Sequence, residues 1–296
     1  MHGIDSFSTY HPLAELLYFS AVIAFSMFFM HPVCLLISLF CACLYYITLE
    51  GSKAKKLIVK FIFPVIIITS VMNPLLSHEG QTILFYLPSK NPLTLESVLY
   101  GVCAGLMLAS VMLWFFCFSA VMTSDKFVYL FSRFSPSLSL MLSMTLRFIP
   151  RFKNRFETLS ETQNSLDINE KKSKMRKAKT AVSCFVSVAS WSLENAVETA
   201  DSMKSRGYGT TKRTAYSIYR FEDRDKTALC FIISCAVFIV CGAVSGALRW
   251  RFYPTVKGAL TPLSFILFAA YSALCIMPVY LNEKEKRQWK RLRSEI

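Results

Sequence analysis

Between Ser97 and Met122 the chain runs twenty-six residues without an aspartate, glutamate, lysine or arginine. About 20 apolar residues in a helix cross the hydrocarbon core of a bilayer. In that medium every backbone polar group has to be bonded inside the protein, so a run of this kind can only be a helix. Five further runs are also predominantly apolar: Leu13–Met30, Pro32–Leu49, Leu57–Met72, Thr227–Leu248 and Leu260–Leu281. A mean hydropathy of +0.42 over the whole chain agrees with them. The expected fold class is an all-α integral membrane protein with about six transmembrane helices.

A seventh apolar run, Phe127–Ile149, is broken by Arg133, Pro136 and Arg147 and is rich in serine. It reads as two shorter helices at the membrane surface or packed within the protein. Pro150 marks a kink or a fresh start. Beyond it Phe156, Leu159 and Leu166 recur at helical spacing. A second long helix is expected from about Lys179 to Arg206, with Leu193, Ala196, Val197, Ala200 and Met203 as its apolar face. The opposite face carries Glu194, Asn195, Glu198, Asp201 and Lys204. The resulting domain order is a four-helix membrane part (1–122), a coupling region of two long amphipathic helices (123–226), two further spans (227–281) and a basic tail (282–296).

The net charge of +14 is clustered beside the apolar runs. Lys53, Lys55, Lys56 and Lys60 form one group, Arg147–Lys226 holds 17 Lys/Arg against 10 Asp/Glu, and Lys284–Arg293 forms the third. Positive loops stay in the cytoplasm, which places both termini, the coupling region and the tail inside, in the plasma membrane. The basic residues Arg249, Arg251 and Lys257 fall on an outside loop and run against that pattern. The other outside loop, residues 73–96, holds strand formers at Thr82–Leu87, a turn signal at Pro88–Asn91 and a returning Pro92–Leu95, a short β-hairpin within 80–95. No basic module stands apart from the spans, so nucleic acid is not an expected partner. The first apolar run lacks a basic leader and a cleavage site and reads as a retained span.

No catalytic set emerges. There is no phosphate-binding GxxxxGK[ST] loop, no GxSxG and no HExxH. The ten cysteines include no CxxC pair and sit mostly in apolar runs as small hydrophobes. His11-Pro12 and His31-Pro32 bracket one helix, about 30 Å apart, too far to share an ion; each reads as a helix start with proline at N1. The membrane cores carry essentially no ionisable residue, so no proton relay is expected. The chain reads as a non-enzymatic scaffold with no cofactor, no metal and no energy source of its own. A membrane-embedded enzyme and a purely structural membrane protein are the weaker readings.

One stretch stands out against this background: "ADSMKSRGYGTT", Ala200–Thr211, where Arg206 and Gly207 close the second long helix. Gly207 suits the left-handed residue after a helix end. "LRFIPRF" (Leu146–Phe152) and "ENAVETADSMKSRGYG" (Glu194–Gly209), in this order on a six-span basic chain, resemble the transmembrane T component of energy-coupling factor (ECF) transporters, the EcfT/CbiQ family. "NPLLSHEGQTILF" and "LTLESVLYG" resemble the outside loop and following span of many members. The resemblance implies two coupling helices, each ending in a short arginine motif that docks on one of two ABC-type ATPase subunits. It also implies a separate membrane S component that binds the vitamin or metal ion. Ser205, Arg206 and Gly207 then form the second motif, and Arg147, Phe148, Ile149 and Pro150 a structural signature. At the first motif stand Ser165, Leu166 and Asp167, where the family has an arginine. This predicts unequal ATPase contacts, with basic neighbours such as Lys171 as the compensating alternative. The rival within transport is an ordinary ABC permease that binds substrate itself.

Overall fold

The computed structural model describes residues 5–77, 80–86, 92–166, 174–210, 219–258 and 261–294. They fall into two compact units, one made of Met1–Lys126 with Tyr219–Ile296 and the other of Phe127–Ile218. The first unit holds helices α1 (Pro12–Phe28), α2 (Pro32–Glu50), α3 (Ser52–Leu76), α4 (Leu95–Val121), α8 (Asp223–Val244) and α9 (Pro262–Ser294). Helix α5 (Ser124–Phe134) leads out of it. Helices α6 (Pro136–Leu166) and α7 (Lys174–Ser205) belong to the second unit. Among the described residues five helices are long and apolar enough to cross a membrane: α2, α3, α4, α8 and α9; α1 is apolar but has only 17 residues.

Both His-Pro pairs start a helix as expected, and each imidazole adds a cap. Nδ1 of His11 accepts from the Leu13 N–H at 3.2 Å, and Nδ1 of His31 from the Val33 N–H at 3.3 Å. Proline at N1 has no N–H to satisfy, so the ring nitrogen takes the next one along.

Helix α4 is the central post. It packs against α1, α2 and α3, while α2 continues to α9, and α9 to α8. The core is aromatic: Phe7, Tyr18, Phe19, Tyr45, Trp114 and Tyr271 are fully enclosed. A chain of hydroxyls crosses it. The Trp114 indole N–H donates to Ser38 Oγ at 2.9 Å, and Ser38 Oγ lies 2.8 Å from Ser26 Oγ. Tyr271 OH reaches Ser26 at 3.2 Å, and the Ser26 hydroxyl donates to the Val22 carbonyl. Four helices are thereby tied by bonds that water does not compete for.

Helix α3 meets α4 at backbone distance. A Cβ on Gly101 would lie 2.8 Å from the Ser70 carbonyl, and one on Gly105 would lie 3.0 Å from the Ile66 carbonyl and 2.8 Å from Thr69 Oγ1. Gly101 and Gly105 are four apart, the small-residue spacing that lets membrane helices touch.

The outside hairpin forms from β1 (Ile83–Tyr86) and β2 (Pro92–Thr94), antiparallel; its turn, Pro88–Asn91, lies outside the described residues. Glu96 fastens it to α4: the Thr82 hydroxyl donates to its carboxylate at 2.7 Å. A second small hairpin, β3 (Trp250–Arg251) with β4 (Lys257–Gly258), occupies the loop where the basic residues seemed out of place. The Trp250 ring lies flush on Gly258, which is why no Cβ fits there.

Several sequence expectations change. The Lys53–Lys60 group is helical rather than a loop. The chain turns at Gly51 (φ 60°), and the lysines occupy the opening turns of α3, which includes a π turn at Ile58–Ile62. The basic tail continues α9 through Pro278 to Ser294. Pro150 starts nothing: α6 runs through it for 31 residues. An internal proline costs about 3 kcal/mol; packing on both sides of it, described below, offsets that. Glu15, in the first turn of α1, is wholly buried and bonded to Lys126 at 2.7 Å.

The glycine contact gives a direct test. Gly101→Leu should separate α3 from α4 and lower the thermal midpoint of the detergent-solubilised protein, a loss on the order of 1–3 kcal/mol for forced overpacking. Leu99→Ala, at an exposed position two residues away, should leave the midpoint in place.

Candidate functional site: the helical hairpin and its cap

Helices α6 and α7 pack side by side in opposite senses. Phe148 stacks on Phe152 (centroids 5.8 Å), and Phe152 meets the Trp191 ring edge-on at 6.0 Å. The Arg155 guanidinium lies over the same indole at 5.7 Å. Further along, the Cys184 thiol donates to Gln163 Oε1 at 3.3 Å. As α6 advances from Phe152 to Gln163, its partner on α7 retreats from Trp191 to Cys184. The ends at Leu166 and Ser205 therefore sit at opposite ends of the hairpin, roughly 35 Å apart at 1.5 Å per residue.

The face that α7 turns to α6 is not the Leu193–Val197 face. Thr180, Cys184, Val188, Trp191, Asn195, Thr199 and Met203 line the covered side, spaced four, four, three, four, four and four apart; of the expected apolar face only Met203 lies here. Asn195 was assigned to the opposite face; instead its carbonyl takes the Thr199 hydroxyl at 2.7 Å on the covered side. Leu193, Ala196, Val197 and Ala200 face outward. With Val182, Phe185 and Val186 they make an apolar stripe down the free side of the helix, Phe185 at 66 %, Leu193 at 70 % and Val197 at 64 % exposed. Hydropathy alone puts the greasier face inward. Here aromatic stacking on α6 claims the other face, and the stripe is left for something outside the hairpin. The helix also starts five residues earlier than expected, at Lys174, and its 32 residues make it about 48 Å long.

Ser205 is the last residue of α7, and the chain leaves through a double hydrogen-bonded cap. The Tyr208 N–H reaches back to the Met203 carbonyl at 3.0 Å, and the Gly207 N–H to the Lys204 carbonyl at 2.9 Å. This pair of bonds defines a Schellman motif and requires the left-handed residue between them, Gly207 at φ 79°. The Ser205 hydroxyl is turned inward to the Asp201 carbonyl at 2.7 Å. Arg206 is exposed, and its guanidinium forms no ion pair among the described residues. Tyr208 is half exposed beside it. The cap thus presents a rigid multi-donor fork and a phenol on a fixed turn, a fit for a carboxylate or for free carbonyls on a partner.

The other expected motif is described only in part. Ser165 is exposed and bonds the Glu161 carbonyl at 2.9 Å; Leu166 is the last residue of α6; Asp167 and Lys171 lie outside the described residues. In the signature, Phe148 faces α7, while Arg147, Ile149 and Pro150 are exposed. Sequence reasoning missed Trp191, which organises the hairpin, although the i, i+4 pair Phe148/Phe152 was a visible signal for an aromatic partner.

A bundle of apolar helices joined to a hairpin of two long amphipathic helices is the architecture of a multi-pass membrane protein. Residues 6–216 match the family of the cobalt transport protein CbiQ, and the chain belongs to that family. It is similar to the energy-coupling factor transporter transmembrane protein EcfT 1 of Listeria monocytogenes serotype 1/2a (strain 08-5578), 27% identical over 205 residues that cover 63% of this chain and 75% of the relative. The protein is accordingly a membrane component of a transporter of the cobalt and energy-coupling-factor kind.

The cap predicts its own sensitivity. Gly207→Val places a β-branched residue at positive φ, a cost of about 1–2 kcal/mol. Hydrogen exchange at the Gly207 and Tyr208 amides should accelerate roughly tenfold, while the amides around Trp191 keep their protection.

Proposed function

We propose that this chain is the coupling subunit of an ECF-type importer. It takes ATP-driven motion from a pair of ABC-type ATPase subunits and passes it to a membrane S component that carries the vitamin or metal ion. In this reading the chain lies in the plasma membrane with both termini in the cytoplasm, and it neither binds substrate nor hydrolyses ATP. Residues 123–226 form the coupling region. Ser205, Arg206 and Gly207 dock on one ATPase; Ser165, Leu166 and Asp167 dock on the other.

The observation that carries this reading is the capped end of α7. A 32-residue helix ends in an exposed arginine on a fixed turn, at the far end of a hairpin from the first motif. Two contacts roughly 35 Å apart on one rigid hairpin suit a pair of ATPases that move relative to one another. The apolar stripe along Val182–Ala200 supports an apolar partner along the helix, the role given to the S component.

Because the first motif lacks arginine, the two contacts are unequal, with Arg206 on the stronger side. In vesicles holding the full complex, Arg206→Ala should cut ATP-dependent uptake about tenfold or more, the loss typical of an anchoring interface arginine. Leu166→Ala should cost less. Equal losses, or a greater loss at Leu166, rule out the asymmetry. A purified chain that captures substrate unaided points to an ordinary permease instead.

A further inference from the structure

The N-terminal segment from Asp5 to Glu15 holds both places where the chain crosses between the membrane bundle and the hairpin unit. The chain leaves the first unit after Lys126 and re-enters it at Tyr219. Lys126, 5 % exposed, is bound at the exit: its ammonium donates to both Glu15 carboxylate oxygens at 2.7 and 2.8 Å and to the Ser8 carbonyl at 2.7 Å. It also reaches the Val121 carbonyl at the end of α4, 3.1 Å away. The return is bound by the same segment. Asp225, in the first turn of α8, accepts from the His11 N–H at 3.1 Å, and its other oxygen accepts from the Glu222 N–H at 3.0 Å. Phe221 packs on the His11 ring at 4.8 Å, and the Arg224 guanidinium lies over Tyr10 at 5.4 Å.

The segment is in turn fixed to two spans. Asn282 of α9 accepts from the Ser6 N–H at 2.8 Å and the Phe7 N–H at 3.3 Å, and donates to Asp5. The Tyr45 hydroxyl of α2 donates to the other Asp5 oxygen at 2.9 Å. Helices α2 and α9 therefore connect to both crossings through one short piece of chain.

We propose that Asp5–Glu15 is a clamp, with Lys126 and Asp225 as positioning residues, through which displacement of the hairpin unit is delivered to α2 and α9. A crossing that was free to swivel would let the hairpin move without moving the bundle. With the bundle ends of both crossings pinned to one segment, sliding either end leaves an ammonium or a carboxylate buried without its partner. The clamp rests on the coupling reading of the protein and says which residues make that coupling stiff.

The test uses the full chain assembled with its two ATPases and an S component in vesicles. Complex yield, ATP hydrolysis and substrate uptake are measured side by side. Asp225→Ala frees the return. Glu15→Gln combined with Lys126→Met frees the exit without leaving a lone charge buried. Asp225→Asn keeps an oxygen for the His11 N–H. Asp225→Ala and the Glu15/Lys126 double variant should assemble and hydrolyse ATP as the unaltered chain does, with uptake per ATP about tenfold lower, within the usual range of a coupling energy. Asp225→Asn should regain most of it. The clamp is overturned if uptake per ATP stays unchanged in both, or if uptake and hydrolysis fall in step with complex yield, which marks a purely structural role. An unaltered chain that captures no ATPase overturns the coupling reading itself, whatever the variants do.

Discussion

A single ammonium holds the membrane unit in register. Lys126 sits just past α4 at the start of α5, buried from solvent. It is tolerated because Glu15, Ser8 and Val121 meet its hydrogens with oxygen. Such a pair adds little net stability, since desolvation consumes most of the attraction, but breaking it costs about 3–5 kcal/mol. It therefore acts as a specification. Helix α1 can occupy only the position that brings Glu15 to Lys126, and the segment before α1 can run only where Ser8 reaches the same nitrogen. The aromatic core of Phe7, Tyr18, Phe19 and Trp114 then closes around a backbone already fixed in place.

The two units solve different problems. In the bundle the solvent on the outside is expected to be hydrocarbon, so stability comes from close approach at Gly101 and Gly105 and from the buried chain Trp114–Ser38–Ser26–Tyr271. In the hairpin, a seam of Phe148, Phe152, Arg155 and Trp191 holds two helices together while an apolar stripe stays uncovered. An uncovered stripe on a long helix is a liability for a free chain and an asset for a subunit that works against partners.

Much was legible in the chain's order of residues. The apolar runs gave the helices, because spanning length and backbone satisfaction admit no other structure. His-Pro at residues 11–12 and 31–32 marked two helix starts, and Gly207 marked a helix stop, because each rests on local backbone chemistry. What failed was anything that depended on a distant neighbour. Pro150 read as a kink or a fresh start because its cost is local, whereas the helix runs on through it to Phe152 and Arg155, which meet Trp191 about forty residues on. Which face of α7 is covered does not follow from hydropathy, because the aromatic partner on α6 lies about forty residues away. The burial of Glu15 depends on Lys126, which lies more than a hundred residues away in the chain.

The sequence by itself determined that this is a helical membrane protein, with a long helix ending at Arg206 and Gly207. Those features follow from periodicity, span length and the turn chemistry of glycine, each contained within a few residues. Only the tertiary structure decided which face of that helix is free, where α3 and α4 touch, and that one N-terminal segment binds α2, α9 and both crossings to the hairpin. A buried charge or an aromatic seam takes its meaning from the groups that surround it, and these are brought together by folding rather than by position in the chain.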